Sequence, residues 1–511
     1  MDDEQETALR DAGGLRWGTP AAWGALLATV LGSSLTFLAA SSINVALPAL
    51  AADLDADVST LQWTVNAYTL TLAALVLLGG SLGDRFGRRR IFLIGTVWLT
   101  VTSVLCGLAP DTTTLIAARA LQGVGGALLT PASLAILQAT FASGDRSKAV
   151  GAWSGMVGVT SAIGPLFGGW LVDLWSWRLI FLINLPLAVV VLIAAVRYLP
   201  ETRNSSASGQ RLDLTGAALA AVGLGALTWA LTGSGTGDSL ARWVAAGAGL
   251  LALLAFVAVE RRSSHPMVPL HIFSSRQFSG ANIVTFVVYG VLGGTFFLLV
   301  LQLQVVLGYS PLRAGAAELP VTVLMLLLSA SAGGLAERLG PRLPMTLGPI
   351  TIAGGLVLLS TIDADSSYVT GVLPGVVVLG LGLSATVAPL TATVLAAVDE
   401  SLVGVASGVN NAVSRAAWLL AVAALPVLAG LSGGALEDPA AFSDGFRTAM
   451  WISAGAALLG GVLAWLTIRN QLQDDRNACP ASGLDARVHC SVDGAPVASD
   501  ADTAAVRAAA R

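Results

Sequence analysis

Apolar residues fall in long runs along this chain, broken by short polar segments. Fourteen runs stand out, near residues 22–48, 61–81, 91–109, 112–138, 148–172, 178–198, 212–232, 242–260, 279–306, 317–337, 344–361, 370–396, 403–430 and 448–468. A helix needs about 20 mostly apolar residues to cross a bilayer, and each run meets or approaches that length. Strands of a membrane barrel need only about 10 alternating residues. Inside lipid, backbone groups must bond within their own segment. The pattern therefore predicts an all-α polytopic membrane protein with fourteen transmembrane helices.

Composition narrows the picture. The 511 residues are 55% hydrophobic and 11% charged, with a mean hydropathy of +0.77. Soluble domains carry roughly 25% charged residues, and no soluble fold hides this much apolar surface. Residues 1–21 are acidic and polar and lack the basic start and cleavage site of a signal peptide. They read as a cytoplasmic N-terminal segment ahead of an uncleaved first helix. Cys106, Cys479 and Cys490 make no disulfide framework. Lys148 is the only lysine, which with heavy alanine use suggests a GC-rich bacterial genome.

Charge distribution orients the helices. Five loops assigned to the cytoplasm hold fourteen basic residues: Arg85, Arg88, Arg89 and Arg90; Arg146 and Lys148; Arg197, Arg203 and Arg211; Arg261, Arg262 and Arg276; Arg338 and Arg342. The opposite loops hold four, Arg178, Arg242, Arg313 and Arg447. The positive-inside rule then puts both termini in the cytoplasm of a bacterial inner membrane. The loop at Asp399 and Glu400 has no basic residue and is an exception.

The chain also repeats itself. Gly80-Ser81-Leu82-Gly83-Asp84-Arg85-Phe86-Gly87-Arg88-Arg89 aligns with Gly333-Gly334-Leu335-Ala336-Glu337-Arg338-Leu339-Gly340-Pro341-Arg342, an offset of 253 residues. Gly123, Gly125 and Pro131 are echoed by Gly380, Gly382 and Pro389. Helices 1–6 thus recur, in the same orientation, as helices 9–14. The expected organisation is an N-terminal six-helix bundle (22–198), an inserted pair with flanking loops (199–278), a C-terminal six-helix bundle (279–468) and a disordered polar tail (469–511). Repeats of this kind place a substrate site near the midplane between them.

Several motifs carry chemistry. The turn at Gly80–Arg90 is either a basic loop that fixes topology or a specific device, in which Asp84 caps a helix or pairs with an arginine. Helix 4 carries Leu115, Arg119, Gln122, Gly123 and Gly125. A mid-helix arginine costs about 2.5–3.5 kcal/mol on insertion scales, so Arg119 either braces the bundle through backbone carbonyls or faces a cavity. Gln122 lies one turn away on the same face. Helix 5 combines Gly151-x-x-x-Gly155 with Gly164-Pro165-x-x-Gly168-Gly169. Small residues four apart allow close helix approach and Pro165 removes a backbone bond, which suits tight packing or a rocking hinge.

These motifs resemble the major facilitator superfamily, and within it the fourteen-helix drug:proton antiporters of the multidrug efflux type. The resemblance runs from about Leu35 to Ile468 and includes Trp177-Arg178-x-x-Phe181-x-x-Asn184-x-Pro186, Gln302-x-Gln304-Val305-Val306-Leu307-Gly308-Tyr309-Ser310 and Gly404-x-x-x-Gly408-Val409-Asn410-Asn411 with Arg415. It implies a major facilitator fold of two six-helix repeats plus two inserted helices. It also implies a gate motif at Gly80, Asp84, Arg85, Gly87, Arg88 and Arg89, with Glu337 and Arg338 in the second copy. By the same resemblance Arg119 takes part in proton coupling, and Gly164, Pro165, Gly168 and Gly169 are the exporter signature. One position departs from the family. The usual helix 1 aspartate is Ala39 in Leu38-Ala39-Ala40-Ser41-Ser42-Ile43-Asn44-Val45-Ala46-Leu47-Pro48.

A proton carrier must gain and lose a proton in the conduction path, and arginine does not do so near neutral pH. Glu260, Glu318 and Glu337 read as helix-end residues, and His265, His271 and His489 as cytoplasmic. The expected cavity is lined by Asn44, Trp63, Asn66, Tyr68, Arg119, Gln122, Tyr289, Phe296, Gln302, Asn410, Asn411 and Arg415. Such a lining suits varied lipophilic ligands, and without an acid it favours neutral or anionic ones. No phosphate loop, trusted metal spacing at Cys479, His489 and Cys490, or nucleic-acid patch is present, so neither an enzyme nor a cofactor is expected. The reading is a monomeric exporter of lipophilic drugs, antibiotics or natural products whose partners are that substrate, protons and the lipid bilayer. A facilitator or symporter of the same fold is the alternative.

Overall fold

The computed structural model describes residues 14–203, 212–232, 239–263, 266–399, 402–431 and 435–470. The tail from 471 onward, with Cys479, His489 and Cys490, lies outside these residues, as do Arg211, His265 and most of the N-terminal segment. Among the described residues, fourteen helices are long and apolar enough to cross a membrane. They are α1 (Pro20–Leu54), α2 (Val58–Phe86), α3 (Arg88–Gly107), α4 (Thr112–Thr140), α5 (Arg146–Leu174), α6 (Leu179–Leu182 and Asn184–Tyr198), α7 (Leu214–Thr232) and α8 (Ser239–Arg262). The second set is α9 (Arg276–Leu301, running into a wide π turn at Gln302–Val306), α10 (Pro311–Ala317 and Leu319–Leu339), α11 (Arg342–Leu359), α12 (a π turn at Tyr368–Val372, then Leu373–Ala396), α13 (Val403–Leu428) and α14 (Pro439–Thr467).

The helices outrun the apolar runs because polar caps start them early. Asp57, Asp111 and Asp438 accept backbone N–H bonds at the starts of α2, α4 and α14, each satisfying donors that a helix start leaves open. The α14 helix therefore begins at Pro439, nine residues before the apolar run suggests, and takes in Asp444 and Arg447. One extension corrects an expectation. The tenth span begins at Pro311, so Glu318 is not a helix-end residue; it sits at the one-residue break inside α10.

Pairing of the helices repeats. In the first set α1 packs on α5 and α6, and α4 on α2 and α3; in the second α9 packs on α13 and α14, and α12 on α10 and α11. The α7 helix lies against α2 and α13, and α8 packs on α7, so the inserted pair sits on one flank. Most of α8 is exposed, as a lipid-facing helix should be.

The two repeats meet through α2 with α13 and α5 with α10. Polar links across this seam lie at the end opposite the basic loops. Gln62 Nε2 donates to the carbonyls of Val422 and Ala423 at 2.7 and 3.0 Å, Gln304 Nε2 to Val45 O at 3.0 Å, and Ser310 Oγ to Asp173 at 2.8 Å. One apolar cluster there joins Leu47, Leu50, Leu61 and Val65 to Leu301, Leu303, Ala314 and Phe446. The basic end differs. Its cluster of Leu26, Phe92, Leu129, Ile136, Phe141 and Val191 stays within the first repeat. A methyl added at Gly151, Gly155 or Gly158 of α5, at Gly333 or Gly334 of α10, or at Gly404 of α13 would meet nothing within 4 Å. The repeats thus lock together at the end opposite the basic loops, while these glycines at the basic end face open space and α2 still meets α13 at Leu77 and Gly408.

The polypeptide before α1 is tied to that basic end. Leu15 N donates to Thr140 O at 2.8 Å, Ala142 N to Leu15 O at 3.0 Å and Trp17 N to the Asp145 carboxylate at 2.9 Å. The Trp17 N–H first, and Lys148 beside it, hold the Asp145 carboxyl below the usual aspartate range.

Candidate functional site

Arg119 is fully buried in α4. Its Nε donates to Thr64 O at 3.0 Å and its Nη1 to Ala39 O at 3.0 Å and to Gln122 Oε1 at 2.6 Å, while Nη2 is buried without a partner. The guanidinium lies 4.5 Å from the Tyr68 ring centroid and 5.8 Å from that of Phe181, and aromatic faces attract a cation. Gln122 Nε2 passes the network to Ser103 Oγ at 2.7 Å, which also accepts from Asn184 Nδ2 at 3.1 Å. This explains two spacings at once. The Arg119–Gln122 turn forms one bonded unit, and Phe181 with Asn184 from α6 completes its floor. The Ala39 carbonyl takes the contact at the position where the family usually carries an acid. No carboxylate reaches Arg119 among the described residues, so carbonyl and ring dipoles alone offset the buried charge.

Across the seam, Arg415 of α13 is half-buried with its Nε unpartnered. Its guanidinium is 6.0 Å from the Phe37 ring centroid on α1, so it looks from one repeat towards the other. Phe296 stacks on Trp418 with centroids 6.3 Å apart. Tyr289 and Trp63 are half-buried. Asn44 Oδ1 and both side-chain polar atoms of Asn66 are buried without partners, which is costly for polar groups and marks them as ready to bond. Two expected cavity residues lie elsewhere. Asn410 Nδ2 is held inside the second repeat by Thr285 at 2.8 Å and Asn282 at 3.2 Å. Gln302 sits at the π turn, donating to Ser443 Oγ at 3.2 Å and Ile362 O at 3.4 Å at the closed end. Asn411 is exposed and donates to Ser407 O at 3.2 Å.

At the basic end Asp84 accepts from Arg88 Nε at 2.9 Å and Nη2 at 2.7 Å. Arg88 Nη1 also reaches Ala135 O on α4 at 3.2 Å. The Gly80–Arg89 turn is therefore latched within the first repeat. Gly87 has φ +107° and faces the Glu201 carboxylate, which a methyl group would strike, so glycine alone fits. Glu201 caps α3 by accepting from Arg89 N at 3.2 Å and Arg90 N at 3.1 Å. Arg85 lies 5.2 Å from the Phe86 ring centroid. In the second copy Glu337 and Arg338 are exposed.

The Gly164–Gly169 stretch of α5 forms the closed seam. Ser42 Oγ donates to Gly164 O at 3.1 Å, and Gly168 lies on Ser42. A methyl on Gly169 would strike the Pro311 carbonyl, and one on Gly315 the Pro165 carbonyl. Such spacing lets two backbones touch. Gln62, Asp173 and Glu201 have no signal in the sequence, since nothing local separates a seam glutamine or a capping glutamate from ordinary polar residues. Glu318 is visible there but reads as a helix-end residue, because the apolar run starts later than α10 does.

The profile of the Major Facilitator Superfamily matches residues 29–422. Similar proteins include a puromycin resistance protein of Streptomyces alboniger, 36% identical over 92% of this chain and 95% of that protein. A tetracenomycin C resistance and export protein of Streptomyces glaucescens is 34% identical over 84% and 79%. A cephamycin export protein of Amycolatopsis lactamdurans is 36% identical over 83% and 89%. Among solved structures, a bacterial homologue of the lysosomal transporter Spinster in an inward-facing, unoccupied conformation superimposes with a TM-score of 0.63 at 17% identity, covering 88% of this chain and 97% of that one. A peptide transporter in complex with sulfate gives 0.66 at 16%, covering 91% and 98%. The repeated helix pairing, the Arg119 unit and these similarities converge: this chain is a multi-pass bacterial membrane transporter that belongs to the major facilitator superfamily.

Proposed function

We propose that this transporter exports lipophilic small molecules, neutral or anionic in preference to cationic, by alternating access coupled to proton antiport. The relatives named for resistance to or export of puromycin, tetracenomycin C and cephamycin support export of antibiotic-like compounds. The observation that carries the substrate charge is the pair Arg119, fully buried, and Arg415, half-buried, each with a buried guanidinium nitrogen that has no partner. A cation placed between them has no counter-ion, whereas an anion or carbonyl finds donors. The basic end is assigned to the cytoplasm, which makes this an inward-open form. Gly80, Asp84, Arg85, Gly87, Arg88 and Arg89 then act as the cytoplasmic gate in the state where the repeats close there, and Gly164, Pro165, Gly168 and Gly169 as the hinge.

Reconstituted vesicles test the reading, with puromycin, a cephamycin and tetracenomycin C as probes. A proton gradient should drive accumulation of at least one probe, and a protonophore should abolish it. Accumulation only down the probe's own gradient would favour the second reading, an uncoupled facilitator of the same fold, to which Ala39 in place of an acid lends support.

A further inference from the structure

Proton antiport requires an acid that the transport cycle exposes and buries in turn, and Ala39 removes the usual one. The carboxylates near the seam are mostly engaged. Asp53 holds Arg178 at 2.6 Å and Trp177 Nε1 at 3.0 Å, Asp84 holds Arg88, and Asp173 accepts from Ser310 Oγ and Leu312 N. Glu260 accepts from Val268 N with one oxygen while its other oxygen is buried without a partner, but it lies on the peripheral α8, which packs on α7 and not on the seam. Glu318 differs in its place. It lies within a membrane span at the break in α10, and its Oε1 is buried with no hydrogen-bond partner. The turn before it, with Ala314, Gly315 and Ala317 buried, packs against α5 at Pro165. Glu318 therefore sits one turn from the backbone contact that closes the outer seam.

We propose that Glu318 is the proton-carrying residue of this transporter, and that its neutral form is what allows the outer seam between α5 and α10 to close. This rests on the antiport reading above. An ionised carboxylate with an unpartnered oxygen is costly to bury, so closure selects the protonated acid. With the seam open to the outside, the carboxylate takes a proton from external water. The seam closes, and the basic-end cleft opens. The proton then leaves to water in that cleft, and the ionised group favours reopening outward with substrate aboard.

Among the described residues, the surroundings offer nothing that would neutralise the charge otherwise. On α5 the facing acid is Asp173, already bonded to α10. On α12, which has no charged residue, the Tyr368 hydroxyl donates to Ala317 O at 3.4 Å. On α10 itself Arg313 is exposed, and α1 contributes only Asp53, paired with Arg178. The remaining cations of α5, α9 and α11, namely Arg146, Lys148, Arg276 and Arg342, lie at the basic end.

The test is a distance measured across the outer end. Spin labels go on Thr113→Cys and Asp365→Cys, both exposed, with Cys479 and Cys490 replaced by serine and buried Cys106 retained. In lipid nanodiscs without substrate, the wild-type background should show the short distance at pH 5. A longer population should grow as pH rises to 9, by up to ~10-fold per pH unit across the responsive window. Glu318→Gln should stay short throughout, and Glu318→Asp should keep the response. A Glu318→Gln protein that responds to pH as the wild type does, or a wild type that does not respond, overturns the assignment. Failure of antiport itself is read separately. If the wild type accumulates probe without a proton gradient, the antiport reading falls while the pH titration still decides what Glu318 does. If gradient-driven accumulation is equal in wild type and Glu318→Gln, only Glu318 falls.

Discussion

Arg119 shows how much a single residue can hold. Its three bonds bridge α4 to Thr64 on α2 and Ala39 on α1, so it braces the first repeat whatever its part in coupling. Arg119→Ala strands two carbonyls and the Gln122 amide, at ~1–3 kcal/mol for each buried group left unpaired. The purified variant should melt several degrees lower, and gradient-driven transport should fall by at least ~10-fold. Arg119→Lys keeps the charge and loses the planar fork, so it should recover part of the stability and little of the transport. Unchanged melting and transport in both would remove Arg119 from brace and mechanism alike. Ala39→Asp is the converse change. It adds a carboxylate at the residue whose carbonyl Arg119 Nη1 already bonds, and export of a lipophilic cation such as ethidium should rise relative to an anionic probe. An unaltered ratio would show that position 39 does not set charge preference.

At the scale of elements, the α5–α10 seam depends on two glycines. Gly169→Val or Gly315→Val drives a side chain into the opposing backbone, so the outer end should stay parted. Expected is faster thiol modification of a Thr113→Cys or Asp365→Cys reporter in either variant, with normal protein yield; labelling at the parent rate would show that the seam closes elsewhere. The N-terminal tether makes a pH-dependent contribution through Asp145. Its carboxyl is held below the usual range in the folded chain, so the contribution is complete above the unfolded aspartate value of about 3.9. It is lost as pH falls through the lower folded value. Melting temperature should therefore drop below about pH 4 more steeply in wild type than in Asp145→Asn, and parallel curves would show that the Trp17 bond contributes nothing.

For the whole molecule, the strongest expectation is its orientation. Lys148→Cys, at the basic end, should react with an impermeant maleimide only in inverted membranes, and Thr113→Cys only in intact cells. The opposite pattern would invert the transporter and with it the direction of export. The open space beside Gly155 at the basic end also predicts that Gly155→Cys reacts from the Lys148 side without substrate, and that the rate drops when a transported probe drives closure.

The run lengths of apolar residues alone determined that this chain crosses the membrane fourteen times, because lipid tolerates no unbonded backbone and no shorter span. The 253-residue echo of the Gly80–Arg89 turn likewise announced two repeats around an inserted pair. Both signals are local or periodic, and a linear sequence carries such signals directly. What touches what across the seam is neither. That Arg119 rests on the Ala39 carbonyl, that Gln62 reaches Val422, that Asn410 and Gln302 turn into their own repeat, and that Glu201 caps α3 depend on residues far apart in the chain. Glu318 is the sharpest case. Hydropathy put it at the edge of a span, since the charged Arg313 and Glu318 and the small residues between them interrupt the apolar run. The Ser310 cap and the Pro311 start carried the helix past them, and packing of Gly315 on Pro165 of α5 then set the acid within that longer span, next to the closed seam.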